Sequence, residues 1–386
     1  MDFDVAEWLN LALRWLHLVA GIAWIGSSFY FVWLDNHLTK PTEGDASGEL
    51  WSVHGGGFYH NQKYQVAPSA MPERLHWFKW EAYFTWISGF SLLVLIYYVG
   101  AQNFLIDPAK ADLSPVAAIA IGLAALALGW LVYDGLCRSP VGSSNVALGI
   151  FWFACLLLAA AALDSLFNAR AAYMHVGAIA GTVMVANVFL VIIPNQRKVV
   201  ADLVAGRTPD PALGAAAKQR SLHNNYMTLP VLFIMISPHY PMTYGAEQPW
   251  LVLGLLGLTG VAVRHVFNLR GRERPAGAAI VVAIGLALAS AAYVTLENGR
   301  AAPGPAQNVA YAEVQPILAT HCAGCHTRHP LPRGVALDSW EHARAASARI
   351  KAVAVDTQVM PLGNPTGMTP EERRRLGAWI AAGSPR

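Results

Sequence analysis

Residues 321–330 read HCAGCHTRHP. Two cysteines separated by two residues, with a histidine directly after them, are the arrangement that attaches a haem covalently. Cys322 and Cys325 would form the thioethers, and His326 stands where it can bind the iron. A thioether as the opposite ligand would raise the potential relative to a second histidine. Met360, in the Pro/Gly loop QVMPLGNP, lies 34 residues beyond His326 and is the expected iron ligand. Met368 competes, but it abuts a helix start marked by Thr369 as N-cap, Pro370 in the first position and Glu372 completing a capping box. Zinc binding would need a second ligand pair, which the motif lacks.

Three further groups have types and spacing suited to chemistry. RWLHLVAGIAWIGSSFYFVW (14–33) and AYMHVGAIAGTVMVANVFLV (172–191) each place an aromatic residue two positions before a histidine, His17 and His175. Ionisable side chains in such apolar runs are costly and usually functional. Their similar depth leads us to expect a b-type haem between them; the alternative is that each bonds a neighbouring carbonyl or lines a cavity. A second group comes from QRSLHNNYMTLP (219–230) and VRHVFNLR (263–270), which bring His223, Asn224, Asn225, Arg264 and His265 toward one level, with Lys79, Glu81, Tyr83 and Asp134 near it. Such side chains suit a flat anion rich in hydrogen-bond donors and acceptors, with a histidine as base. An interfacial belt of Trp, Lys and Arg explains Trp77, Lys79 and Trp80 better than it explains the run from His223 to Tyr226. The third is the loop WSVHGGGFYHNQKYQVAPSAMPERLHWFKW (51–80), long for a connector, where His54 and His60 flank three glycines as parts of an expected lid.

What must position these groups is a membrane bundle. The chain of 386 residues is 55% hydrophobic and 13% charged, with a mean hydropathy of +0.37, outside the soluble range. Eight segments have the length and polarity to cross about 30 Å of hydrocarbon: 8–34, 81–100, 115–134, 146–167, 172–193, 225–243, 250–268 and 277–297. The sixth is interrupted by Pro230 and Pro238. The acidic start MDFDVAEW lacks a basic n-region, so the first segment reads as a span rather than a cleaved signal. NGRAAPGPAQN reads as a linker. The expected fold is all-α: an eight-helix transmembrane domain (1–297), a linker (298–308) and a small cytochrome c-type helical domain (309–386), marginal in size without a haem in its core. The histidine-bearing segments 14–33 and 172–191 also hint at two parallel four-helix halves.

Haem c is attached on the outer face of an energy-transducing membrane, which puts the tail, and with eight crossings the N-terminus, on the periplasmic side of the inner membrane. The basic residues agree: thirteen Lys and Arg lie on the inner side, against Lys110 and Arg170 in the outer loops. The net charge of +3 is scattered in loops and carries no nucleic-acid signal, and four cysteines make no disulfide framework.

GGGFYHNQKYQVAPSAMPERLHWFKWEAYFTWISGF, YMHVGAIAGTVMVANVFLVIIPNQRKVVADL and AKQRSLHNNYMTLPVLFIMISPHYP resemble the membrane-bound urate hydroxylases, also called cytochrome c urate oxidases. The resemblance runs through the eight-helix region into the C-terminal cytochrome. It implies purine catabolism: oxidation of urate to 5-hydroxyisourate, with electrons passed to the fused haem c and on to an acceptor of the respiratory chain. Cys322, Cys325 and His326 carry over from it; no membrane residue does. From the residues alone, a quinol-oxidising membrane cytochrome is the rival, and a transporter with a redox tail a third reading.

Overall fold

The computed structural model describes residues 5–64, 68, 71–300, 309–327, 334–356, 358, 360–362 and 364–386. Among the described residues, helices overlap each of the expected segments, the sixth (225–243) only over the second half of Pro211–Ile236. They are α1 (Val5–Asn36), α2 (Trp80–Leu93, continued by a π turn over Val94–Tyr98), α3 (Pro115–Arg138), α4 (Asn145–Asp164), α5 (Ala169–Val204, with a π turn at Asn187–Ile192), α6 (Pro211–Ile236), α7 (Pro249–Arg270) and α8 (Gly277–Arg300). Six of them, α1, α3, α4, α5, α7 and α8, are long and apolar enough to cross a membrane, so the chain reads as a multi-pass membrane protein. The two others differ for visible reasons. The regular part of α2 is 14 residues long, and α6 carries the polar stretch KQRSLHNN through its middle.

Local signals set the helix starts. Ser114 accepts from Ala117 N at 3.2 Å ahead of Pro115, Asn168 accepts from Arg170 N at 3.1 Å, and Asp210 accepts from Ala212 N at 2.9 Å ahead of Pro211. Each satisfies an amide that a first turn leaves unpaired. At the other end of the chain, Thr369 and Glu372 cap each other reciprocally, as the sequence leads one to expect.

The core sits around α5, which packs on α2, α3, α4, α6 and α7. Small residues let it come close: a Cβ on Gly177 would lie 2.6 Å from Ile234 of α6, as in small-residue packing of membrane helices. By contrast α1 packs mainly on α2 and buries only Ala20 and Gly21. The two histidine-bearing segments therefore play unlike parts, one central and one peripheral.

The all-α expectation misses one element. Between α1 and α2 lies an antiparallel hairpin, β1 (Gly48–His54) and β2 (Gly57–Lys63), in which Trp51 faces His60 and Val53 faces Phe58. Its two-residue turn has Gly55 at φ 58° and Gly56 at φ 81°, the left-handed pair that a tight hairpin turn requires and glycine supplies without strain. Thr39 and Glu49 exchange backbone hydrogen bonds at its foot, and Lys63 pairs with Asp35 at 2.6 Å.

After residues 301–308, which lie outside the described residues, come α9 (Tyr311–His321), α10 (Trp340–Ala345) and α11 (Pro370–Ala381). They enclose a separate core that includes Val314, Leu318, Ala343, Met368, Leu376 and Trp379.

Candidate functional site

His223, Asn224, Asn225 and Tyr226 occupy about one turn of α6, so their side chains leave the helix about 100° apart. The expected single cluster is thereby divided into three. On the side facing α3 and α5, His223 Nδ1 meets the Tyr133 hydroxyl at 3.1 Å. Asn187 Nδ2 donates to Asn224 Oδ1 at 2.8 Å and reaches the same hydroxyl at 3.4 Å. Asn224 Nδ2 donates to the Met184 carbonyl at 2.9 Å. Arg220 donates to Asn187 Oδ1 at 3.1 Å and to Asp134 Oδ1 at 2.6 Å, and Arg138 holds the other Asp134 oxygen at 2.7 Å. One half-buried carboxylate thus stands between two guanidinium groups, with the asparagine amides oriented from it.

Facing α7, the Asn225 carbonyl oxygen accepts from Arg264 Nε and from Asn268 Nδ2, both at 3.0 Å. A guanidinium only donates, which fixes the amide with its oxygen toward Arg264. Asn225 Nδ2 and Asn268 Oδ1 are consequently buried with no partner. An unmet buried donor or acceptor costs about 1–3 kcal/mol. The Arg264 guanidinium lies 3.9 Å from the centre of the Phe29 ring on α1, and no carboxylate neutralises it among the described residues. A small cleft opens between α1 and the α5–α6 pair, lined by Trp24, Ile25, Ser28, Met184, Asn224 and Thr228, with a cavity volume of about 10 Å³. That is room for about one water molecule.

The third direction leads outward. Tyr226 Oη lies 2.8 Å from Nδ1 of His265, which is exposed. His265 follows Arg264 by one residue and so faces away from the buried amides; it is set apart from the group in which the sequence places it. Lys79 lies over the ring of Trp80 and Tyr83 against Phe189, as in an interfacial belt. His60 is bonded to Glu49 at 2.8 Å and stacked on Trp51 at 4.2 Å, so the expected lid residue is occupied within the hairpin. The Glu49 carboxyl is held below the ordinary carboxylate range, first by His60 and then by the amide and hydroxyl of Thr42.

His17 and His175 do not fit a haem between them. His17 Nδ1 faces the Thr85 carbonyl at 2.9 Å and the Ser88 hydroxyl at 3.1 Å on α2. His175 is fully buried, with Nδ1 on the Ala171 carbonyl at 2.8 Å and Nε2 3.3 Å from Tyr98 Oη. A Cβ on Gly122 of α3 would come within 2.7 Å of that same Nε2, so the nitrogen that would ligate iron is against the neighbouring helix. These contacts match the alternative of histidines bonded to nearby groups.

The C-terminal motif fits a covalent haem. Cys322 and Cys325 are free thiols one turn apart. His326 Nδ1 donates to the Val335 carbonyl at 2.9 Å, which orients the ring and leaves Nε2 for iron. Met360 is half-buried on the domain core, whereas Met368 is 2% exposed and belongs to that core. Arg373, whose burial lowers its pKa, donates to the Met360 and Ala354 carbonyls at 2.6 Å each and so holds the methionine loop.

Sequence reasoning missed Asn187, Asn268, Tyr133, Phe29 and Arg373. Asn187 carried a readable signal, since it is a lone amide within an otherwise apolar helical run, VMVANVFLV. No curated protein and no solved structure matches the chain. Residues 4–295, which span all of the helical bundle that carries these polar groups, match the urate oxidase N-terminal family, and the chain belongs to that family.

Proposed function

We propose that the chain oxidises urate to 5-hydroxyisourate beside Asn224, Asn225, Arg264 and Asn268, and that the electrons pass to a haem c held by Cys322, Cys325, His326 and Met360. Family membership supports a urate-related oxidoreductase. The observation that carries the finer reading is the buried Arg264–Asn225–Asn268 group with its unmet donor and unmet acceptor. Urate is a planar anion bordered by carbonyl oxygens and ring N–H groups. The Asn225 Nδ2 donor suits a carbonyl, the Asn268 oxygen suits an N–H, and Arg264 supplies the compensating charge.

Urate monoanion and one water yield 5-hydroxyisourate, one proton and two electrons. His223, held at Nδ1 by Tyr133, faces α3 and α5 rather than the α7-facing Asn225 group, so its Nε2 takes the proton through an intervening water, as a positioned base can. Asn224, on the cleft wall, is fixed through Asn187 by Arg220 and Asp134 and orients substrate or water. Haem c, when attached, accepts electrons one at a time. We read α2 and α6 as crossings as well, which makes eight. The haem domain and N-terminus then lie on the periplasmic side of the inner membrane and the urate group in the cytoplasmic half, with a respiratory-chain acceptor drawing electrons from the haem.

The test uses membranes containing the full chain, without oxygen. Urate should reduce the c-type haem, and a quinol offered separately should not. Reduction by quinol and not by urate would establish the rival, a quinol-oxidising membrane cytochrome.

A further inference from the structure

We infer that the β1–β2 hairpin is a membrane-surface anchor, seated among the lipid headgroups on the side where α1 ends. The inference rests on α1 crossing the membrane and is independent of the urate reading.

The hairpin exposes large apolar side chains at its free end: Phe58 is 78% exposed, Val53 66%, Trp51 61% and Tyr59 53%. The register places Trp51, Val53 and Phe58 on one face, with Tyr59 on the other beside Ser52. A hairpin with such a face in open water is an aggregation hazard. Charge points the same way. From Gly48 to Gln62 the only Asp, Glu, Lys or Arg is Glu49, which is 4% exposed and closed off by His60 and Thr42. The outer part of the hairpin therefore presents no formal charge.

Its foot fixes where it lies. Lys63 is bonded to Asp35 in the last turn of α1, and the exposed Tyr30, Phe31 and Trp33 precede that turn. A seven-residue strand spans about 23 Å at roughly 3.3 Å per residue, so the tip stays within reach of the surface from which α1 emerges. Trp and Tyr favour that layer. The open strand edges exclude the hydrocarbon core, where unpaired backbone groups cannot be solvated, so the hairpin lies on the membrane and not through it. Stacking of Trp51 on His60 and the buried Glu49 hold the face in shape.

The experiment reconstitutes the full chain in liposomes containing a phospholipid with a photoreactive diazirine just below its headgroup, and maps labelled residues by mass spectrometry. Trp51, Val53, Phe58 and Tyr59 should be labelled as strongly as Trp33, and several-fold more than the 205–210 loop. A V53E/F58E variant should lose label on the hairpin and keep it on α1. Hairpin label at the level of the 205–210 loop, with Trp33 labelled, would overturn the inference and leave the tip in water or against protein. Absence of label on Trp33 too would overturn it by removing the membrane span on which it rests.

Discussion

Replacing Asn225 separates urate recognition from the hydrogen bonding that supports it. In Asn225→Asp, the carboxylate still accepts from Arg264 Nε and Asn268 Nδ2, the two bonds of 3.0 Å made by the native oxygen. What disappears is the buried Nδ2 donor, which has no protein partner, and the new negative charge also cancels that of Arg264. A hydrogen bond to a charged group is worth about 1.5–3 kcal/mol. At about 1.4 kcal/mol per decade, KM for urate should rise roughly 10- to 150-fold, with charge cancellation pushing toward the upper figure. Asn225→Ala differs in kind: it strands the donors of Arg264 and Asn268 and should lower stability by about 1–3 kcal/mol. The expected order is therefore wild type and Asp variant above Ala variant in thermal unfolding, but wild type far above both in urate affinity. The assay is steady-state urate turnover alongside the c-type haem spectrum, which neither variant should change. A wild-type KM in Asn225→Asp would refute the assignment of urate to this group. Loss of stability in that variant would refute the bonding argument itself.

His223→Ala should lower kcat by about 10²- to 10⁴-fold, as loss of a general base does, with little change in KM; an unchanged kcat would remove His223 from the chemistry. Met360→Ala should leave the haem attached but abolish the weak long-wavelength iron–sulfur absorption and lower the potential. Met368→Ala should keep that absorption and instead destabilise the C-terminal domain by about 2–5 kcal/mol, because it empties a core position; the reverse result would exchange the two assignments. The Glu49 carboxyl has a folded pKa below its ordinary 4.5. Its contribution to hairpin order is complete above 4.5 and is lost as pH falls below it through the folded value. Amide exchange over residues 48–63, corrected for intrinsic rates, should show protection declining in that acid range, and constant protection would contradict the role given to the carboxylate.

Helix positions were legible because several of the long apolar runs are bounded by local chemistry, such as Ser114–Pro115, Asn168 and Asp210–Pro211. The hairpin was overlooked because its alternation is confined to a few residues, although two strand-like runs about Gly55–Gly56 are a hairpin signature. The polar run on α6 was recognised as unusual, but its division was not. Which of His223, Asn224, Asn225 and Tyr226 meets which helix depends on the rotation of α6 against α3, α5 and α7, a tertiary quantity. The π turn at Asn187 hides in the same way, since it leaves the apolar pattern nearly unchanged. Similar depth says nothing about azimuth: the His17 ring faces α2 and the His175 ring faces α3 and Tyr98.

The loose seating of α1 bears on how the cleft works. One wall is α1, which buries two residues and leans mainly on α2; the other is the densely packed α5–α6 pair. A molecule held between them would touch a lightly packed helix on one side and a densely packed pair on the other. By linkage, whatever free energy it gains by touching both walls also tightens α1 against the bundle, and anything that steadies α1 tightens the molecule in return. Phe29, lying over Arg264, already connects the two sides. Affinity of any molecule bound there would then be partly a property of helix docking, tunable at positions on α1 and α2 that never touch it.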